Sequence, residues 1–195
     1  MLTSCNAEIM TTLLLIRHGQ TDWNLEGKYT GQADIPLNET GRAQAYEAAE
    51  LVRHQPVDAI ISSDLMRALE TAAIVAGKSE SGVNIQTDSR LREINQGVWE
   101  GMHFDDIKNR YGAELAAREA QPLDFAAPKG ETVGEVRERV LAAIQDICDQ
   151  HPAGLVVIVA HGLVLAIVRC WLMEYAINDV WSFIPPNAKV LEMKV

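Results

Sequence analysis

The chain has 195 residues, 48% hydrophobic and 23% charged, which suits one well-cored domain and leaves no compositional sign of large-scale disorder. Seventeen basic residues against 27 acidic ones leave a formal net charge of −10, which argues against general affinity for nucleic acid or anionic membranes. A small anionic substrate stays open, because a few arginines in a cleft can dominate the local field. The three cysteines, Cys5, Cys148 and Cys170, are odd in number and form no CxxC pair, so inert thiols in a reducing compartment are expected rather than a disulfide framework. The start carries no basic region and its apolar run is too short for a signal peptide. The expectation is a cytoplasmic protein with residues 1–9 as a tail before a single domain over 10–195.

The elements alternate along the chain. Residues 13–16, LLLI, read as a strand buried on both faces. A polar loop with Gly27, Gly31 and Pro36 follows, and Asn38 then caps a helix to about residue 53, with Ala45, Ala49 and Val52 on its inner face. Residues 57–61 form a second apolar strand. Ser63 is expected to cap the next helix, with Leu65, Leu69, Ala72 and Ala76 facing inward and Gly77 closing it. A weaker strand over 83–87 belongs at a sheet edge. Residues 97–130 break the rhythm and are expected to form a lid insertion. Thr132 and Glu135 make a capping box for a long helix whose face is Val133, Val136, Val140, Ile144 and Ile147. Residues 155–160 are another buried strand, 163–173 an apolar helix, and 189–195 a last strand after Pro185 and Pro186. Strands that are apolar throughout, alternating with helices, indicate an α/β fold: a three-layer sandwich with a mostly parallel central sheet covered by helices on both faces.

Ligands of such sheets bind beyond the carboxyl ends of the parallel strands. Arg17, His18 and Gly19 follow the first strand, Ser62, Ser63 and Arg67 the second, and His161 and Gly162 the strand over 155–160. Two arginines and two histidines thus leave the same rim. Each alone is unremarkable, a solvated arginine or a packed histidine. Together they would repel one another until a dianion joined them, and the helix N-termini after Ser63 and His161 would add donors. This combination points to a phosphate site.

These residues carry a resemblance. Arg17-His18-Gly19-Gln20-Thr21 with Asn24, then Thr30-Gly31-Gln32, Ser62-Ser63-Asp64-Leu65-Met66-Arg67-Ala68, Arg92-Glu93 and Ala160-His161-Gly162, resemble in order the motifs of the histidine phosphatase superfamily, the phosphoglycerate mutase-like proteins. The resemblance implies His18 as a nucleophile that becomes phosphohistidine, its other ring nitrogen fixed by a hydrogen bond to a backbone carbonyl. Arg17 and Arg67 would present planar forks to the phosphate oxygens, and His161, protonated against the dianion, a further donor. Asn24, Gly31 and Gln32 would complete the cradle, partly through backbone N–H groups. Glu93 would serve as general acid; without the resemblance it reads equally as a surface partner for Arg92 or Arg90.

The implied activity is hydrolysis of a small phosphorylated metabolite without metal or other cofactor. The run 94–101, INQGVWEG, is similar to the phosphatase branch, and a cofactor-dependent phosphoglycerate mutase is the alternative. A non-catalytic scaffold that binds phospho-ligands is an alternative of another class. No cysteine has an arginine six residues on, no DxD run occurs, there is no GxxxxGK[ST] loop, and His54, His103 and His151 lack metal-ligand spacing. Trp99, His103, Phe104, Arg110, Tyr111 and Phe125 either grip substrate or simply pack the lid, the latter being the expectation for most. Trp181 and Phe183 are open between core and oligomer contact, and a homodimer is compatible with them.

Overall fold

The computed structural model describes residues 10–195; the expected tail over 1–9, with Cys5, lies outside the described residues. Along the chain come β1 (Thr12–Arg17), a short α1 (Asp22–Leu25), α2 (Glu39–Val52), β2 (Ala59–Ser62), α3 (Met66–Lys78), β3 (Ile85–Thr87), α4 (Phe104–Arg110), α5 (Gly112–Ala120), α6 (Val133–Gln150), β4 (Leu155–Ala160), α7 (Gly162–Leu172) and β5 (Val190–Lys194). The sheet order is β3-β2-β4-β1-β5. The first four of these strands pair in parallel, and β5 runs antiparallel against β1 at one edge.

Side chains alternate across a strand, so each central strand feeds two cores. Leu13 and Leu15 enter the core built with α6 and α7, whereas Leu14 and Ile16 enter the one built with α2 and α3. That is why LLLI shows no polar positions: helices cover both faces of the sheet. The same reason makes β4 apolar along its length, with Val156, Val157, Ile158 and Val159 all fully buried. The two expected caps form. Asn38 accepts a hydrogen bond from the Gly41 amide at 2.8 Å, and Thr132 and Glu135 close a reciprocal capping box on α6.

The helix after β2 departs from expectation. The chain bends at residues 64–65 and Leu65 itself is extended, so α3 starts at Met66 and Gly77 lies inside its last turn. Its buried stripe is Arg67, Ala68, Thr71, Ala72 and Val75, and Leu69 and Ala76 are only half-buried. Ser63 does not cap it, because that hydroxyl meets His161 instead, at 2.8 Å. Segment 97–130 folds into α4 and α5 around its own small core of Trp99, Ile107, Leu115 and Ala127. Cys170 is buried and Cys148 half-buried, and burial raises both thiols above their ordinary range. No described helix is long and apolar enough to cross a membrane.

Candidate active site

Register alone brings the two histidines together. Arg17 on β1 stands opposite Ala160 on β4, so His18 and His161 leave paired parallel strands at the same height. The His18 amide extends the ladder by donating to the Ala160 carbonyl at 3.0 Å. The imidazole rings lie 5.2 Å apart between centroids. Both are buried, His18 at 3% and His161 at 0% exposure. His18 Nδ1 lies 2.7 Å from the Gly19 carbonyl oxygen. A carbonyl can only accept, so Nδ1 carries the proton and Nε2 of the neutral ring keeps its lone pair.

Burial, then the charges of Arg67 and Arg17, hold His18 well below the usual histidine range. Burial, then Arg67, His18, Arg17 and Arg139 in falling order, do likewise for His161. The expectation of a protonated His161 concerns the ring with a dianion beside it, whereas these shifts belong to the protein alone. There the ring is neutral, and only an anion brought among these cations would reverse the balance.

The arginines are held by backbone carbonyls. Arg67, 1% exposed, donates from Nη1 to Ala33 O at 2.8 Å and from Nη2 to Gly31 O at 2.7 Å. Arg17 donates from Nη1 to Pro185 O at 2.7 Å. Burial lowers both guanidinium groups, Arg67 to about 10, while the Glu93 carboxylate pulls each back up. Arg17 Nε, Arg67 Nε and His161 Nδ1 are buried with no protein partner, and buried polar atoms of this kind are rare unless something else satisfies them. Thr71 ties α3 to the loop after β1: its hydroxyl donates to Arg67 O at 2.8 Å and accepts from the Gly19 amide at 3.1 Å. The N-terminus of α2 presses on that loop. A Cβ on Gly19 would fall 2.2 Å from Gly41 O, and one on Gly41 would fall 2.0 Å from Gln20 O.

Glu93 faces this group. Its carboxylate accepts from the Ile94 amide at 3.0 Å and from the Leu163 amide in the first turn of α7 at 3.3 Å. Neither expected surface partner claims it, since Arg92 pairs with Asp64 and Arg90 with Asp88 and Asp146. The helix N-termini expected to serve phosphate have protein acceptors of their own. Asp34 accepts from the Met66 amide of α3 at 2.7 Å, and Glu93 sits at α7. Arg139 braces the loop that carries Glu93. Its fork donates to the carbonyls of Arg90, Arg92 and Glu93 at 2.7, 2.6 and 3.1 Å while pairing with Glu131.

The remaining predicted residues are placed as follows. Asn24 Oδ1 closes the capping box of α1 and also accepts from Asn187 Nδ2 at 3.3 Å, leaving the side-chain Nδ2 of Asn24 without a protein partner among the described residues. Gly31 has φ +55°, and a Cβ there would lie 2.2 Å from Glu100 Oε1. Gln32 spends its backbone N–H on Glu100 and its side-chain amide on the Glu93 carbonyl and Glu131, so it braces the acid loop instead of offering these donors to a ligand. Asn187, Thr71, Arg139 and Glu131 were not legible as site residues. Ser63 lay inside a recognisable motif, but its hydrogen bond to His161 depends on the β2–β4 register.

Beside the rim opens a cavity of about 540 Å³ whose wall includes Arg17, Glu93, Tyr29, Leu115, Arg118 and Trp181. None of Trp99, His103, Phe104, Arg110, Tyr111 and Phe125 lines it. Trp99 is fully buried in the small core, and Phe104 and Phe125 are exposed. Trp181 belongs to the cavity wall, whereas Phe183 stacks on Tyr175. Among the described residues, no group of three or more His, Cys, Asp and Glu side chains is arranged to hold a metal ion.

The profile of the histidine phosphatase superfamily (branch 1) matches residues 13–195. A relative named probable phosphoglycerate mutase GpmB, from Escherichia coli O139:H28, is 36% identical over 156 residues, covering 80% of this chain and 72% of the relative. Among solved structures, Bacillus stearothermophilus YhfR is 38% identical with a TM-score of 0.82, covering 91% of this chain and 86% of that one. A mycobacterial glucosyl-3-phosphoglycerate phosphatase in complex with VO3 is 32% identical with a TM-score of 0.82, covering 93% and 90%. The chain belongs to the histidine phosphatase superfamily, whose members are phosphatases and mutases.

Proposed function

We propose that this superfamily member is a metal-independent phosphomonoester hydrolase working through a phosphohistidine at His18, on a small phosphorylated metabolite. The observation that carries the reading is the Nδ1–H bond of His18 to Gly19 O at 2.7 Å, which leaves Nε2 as a lone pair among two arginines and a second histidine.

In the first step Nε2 attacks phosphorus in line, and the bond to the ester oxygen breaks. Arg17, Arg67 and protonated His161 neutralise the non-bridging oxygens, and Asn24 Nδ2 donates a hydrogen bond to them. Arg17 and Arg67 stand in place before substrate arrives because Pro185, Ala33 and Gly31 carbonyls hold them. Glu93 gives its proton to the departing alkoxide. In the second step the Glu93 carboxylate takes a proton from water as that water attacks phosphorus, releasing inorganic phosphate and restoring His18. The anion itself provides the charge that raises His161 into its donor form.

The name of the GpmB relative favours a second reading, return of the phosphoryl group to the substrate as in a mutase. Residues 94–101 support the phosphatase branch. A phospho-ligand scaffold without turnover is the weaker reading, since the positions needed for chemistry are all filled. Rapid quench with a 32P-labelled phosphoester should trap an acid-labile, alkali-stable adduct on His18, with stoichiometric release of inorganic phosphate. Label on another residue, or none, overturns the mechanism; isomerisation of 3-phosphoglycerate outpacing phosphate release replaces hydrolase by mutase.

A further inference from the structure

The turn that leads into β5 meets the rim at several points. Pro185 O accepts from Arg17 Nη1 at 2.7 Å. The Ala188 amide donates to Arg17 O at 2.9 Å and to His18 O at 3.3 Å. Between them, Asn187 Nδ2 donates to His18 O at 2.9 Å and to Asn24 Oδ1 at 3.3 Å. Two features mark this turn as held from the rim. Ala188 has φ +53°, a left-handed conformation that strains an L-residue and persists where surrounding contacts require it. Behind the turn lies a cavity of about 250 Å³, walled by Pro186, Asn187 and Lys189 on one side and by Gln44 and Leu51 of α2 on the other. Packing against α2 therefore does not lock the turn, and its hydrogen bonds to β1 and the loop after it do.

Asn24 ends in an amide, so its value beside a phosphate depends on which atom faces the anion. Nδ2 donates to a phosphoryl oxygen, whereas Oδ1 would repel it. The two ends have nearly the same shape, so sterics alone do not choose between them. Here Oδ1 accepts from the Thr21 amide at 3.2 Å and from Asn187 Nδ2, and both of its lone pairs are taken by protein donors. Turned over, the Asn24 NH2 group would face two donors and both bonds would be lost. The Thr21 contact belongs to the capping box of α1, a helix of only four residues. So short a helix is a weak anchor by itself. Asn187 ties the same amide to the main chain of His18, which is fixed in the sheet.

We propose that Asn187 is a positioning residue: by bridging His18 O and Asn24 Oδ1, it keeps Asn24 Nδ2 turned toward the phosphoryl oxygens beside the nucleophile. Asn187 touches no reacting atom and acts through Asn24. The turn into β5 thereby belongs to the anion site, although it lies 163 to 169 residues along the chain from the groups its side-chain contacts join. The proposal rests on the phosphate rim of the hydrolase reading, and not on whether the phosphoryl group passes to water.

Orthovanadate, an oxyanion with the shape of phosphate, serves as the probe, and its affinity is measured by calorimetry on the full chain. Asn24→Ala should weaken binding about tenfold and Asn187→Ala about fivefold. Added to Asn24→Ala, the loss of Asn187 should matter by less than about twofold, because the residue acts through Asn24 and His18 O keeps the Ala188 amide as a donor. Asn187→Leu, which keeps the volume and removes the donor, should match Asn187→Ala, whereas a packing role would let leucine restore binding. The leucine variant also carries the comparison if the alanine variant does not fold. A loss under about twofold in the single variants, or an equal loss with and without Asn24, overturns the proposal. So does recovery by leucine, and so does a wild type that does not bind orthovanadate. The hydrolase reading fails separately. If the affinities follow this pattern but neither phosphate release nor a His18 adduct is found, the positioning role stands and the chemistry falls.

Discussion

The rim at the ends of β1 and β4 and the wall of the neighbouring cavity place cations by different means. At the rim, backbone does the placing: the β1–β4 register sets His18 beside His161, and main-chain carbonyls of Gly31, Ala33 and Pro185 hold the arginine forks. In the cavity wall, side chains do it. Arg118 is held by Gln96 and two indoles, Trp99 from the small separate core and Trp181 from the edge of the core under α7. A backbone-built rim is hard to alter without unfolding the sheet, which suits a step common to every phosphoester. A side-chain-built wall can change by single substitutions while the sheet stays intact, which suits choice among leaving groups. The proposed acid, Glu93, joins the two, because its carboxylate meets α7 at the rim while its loop is braced by Arg139 and Gln32.

The largest expected effect removes the rim's reacting atom. His18→Ala should lower kcat on p-nitrophenyl phosphate by about four orders of magnitude or more and abolish the trapped adduct. Retention of a tenth of the activity would move the chemistry away from the rim. Arg67→Ala should cost about two to three orders of magnitude in kcat. Arg67→Lys should restore little, because one ammonium cannot meet the Gly31 and Ala33 carbonyls as the fork does. Full rescue by lysine would show that charge without geometry suffices there.

Backbone placement is tested by Gly19→Ala, whose Cβ would fall 2.2 Å from Gly41 O. It should destabilise the protein by about 1–3 kcal/mol, read as a lower urea midpoint; an unchanged midpoint would mean that α2 yields easily. Arg139→Met tests the joint between the regions. Misplacing the acid loop should slow alkyl phosphates about tenfold more than p-nitrophenyl phosphate, whose leaving group needs no proton. An equal loss on both would reduce Arg139 to a structural brace. The last effect is in pH. His18 and His161 are held neutral in the folded protein, whereas an unfolded histidine takes a proton below about pH 6.5. Stability should therefore fall as pH drops from about 6.5, by up to about 1.4 kcal/mol per pH unit for each histidine. Denaturant titrations of wild type and a His18→Ala/His161→Ala variant between pH 7 and 5 measure this. An equally steep slope in the variant would assign the acid sensitivity to other groups.

Much of this was legible along the chain because short-range physics leaves marks in sequence. Runs without polar positions reveal β1 and β4, since both faces are covered, and Asn38 and Thr132 announce helix starts through their own caps. Arg17, His18 and His161 were legible as rim residues because they stand at or directly after strand ends. The start of α3 was misjudged because Ser63 has two competing uses, and the His161 contact that decides between them is 98 residues away. Tyr29 and Arg118 escaped notice as cavity residues, whereas the aromatic residues that stood out within 97–130 do not line it.

By itself the sequence determined the layered α/β fold, the family resemblance and the set of cations leaving one rim, because periodicity, caps and strand ends are local. The tertiary structure decided which nitrogen of His18 holds the proton, that His161 is neutral without an anion, and what braces Glu93. Each of those depends on burial or on a partner far along the chain, and neither is written in the spacing of residues.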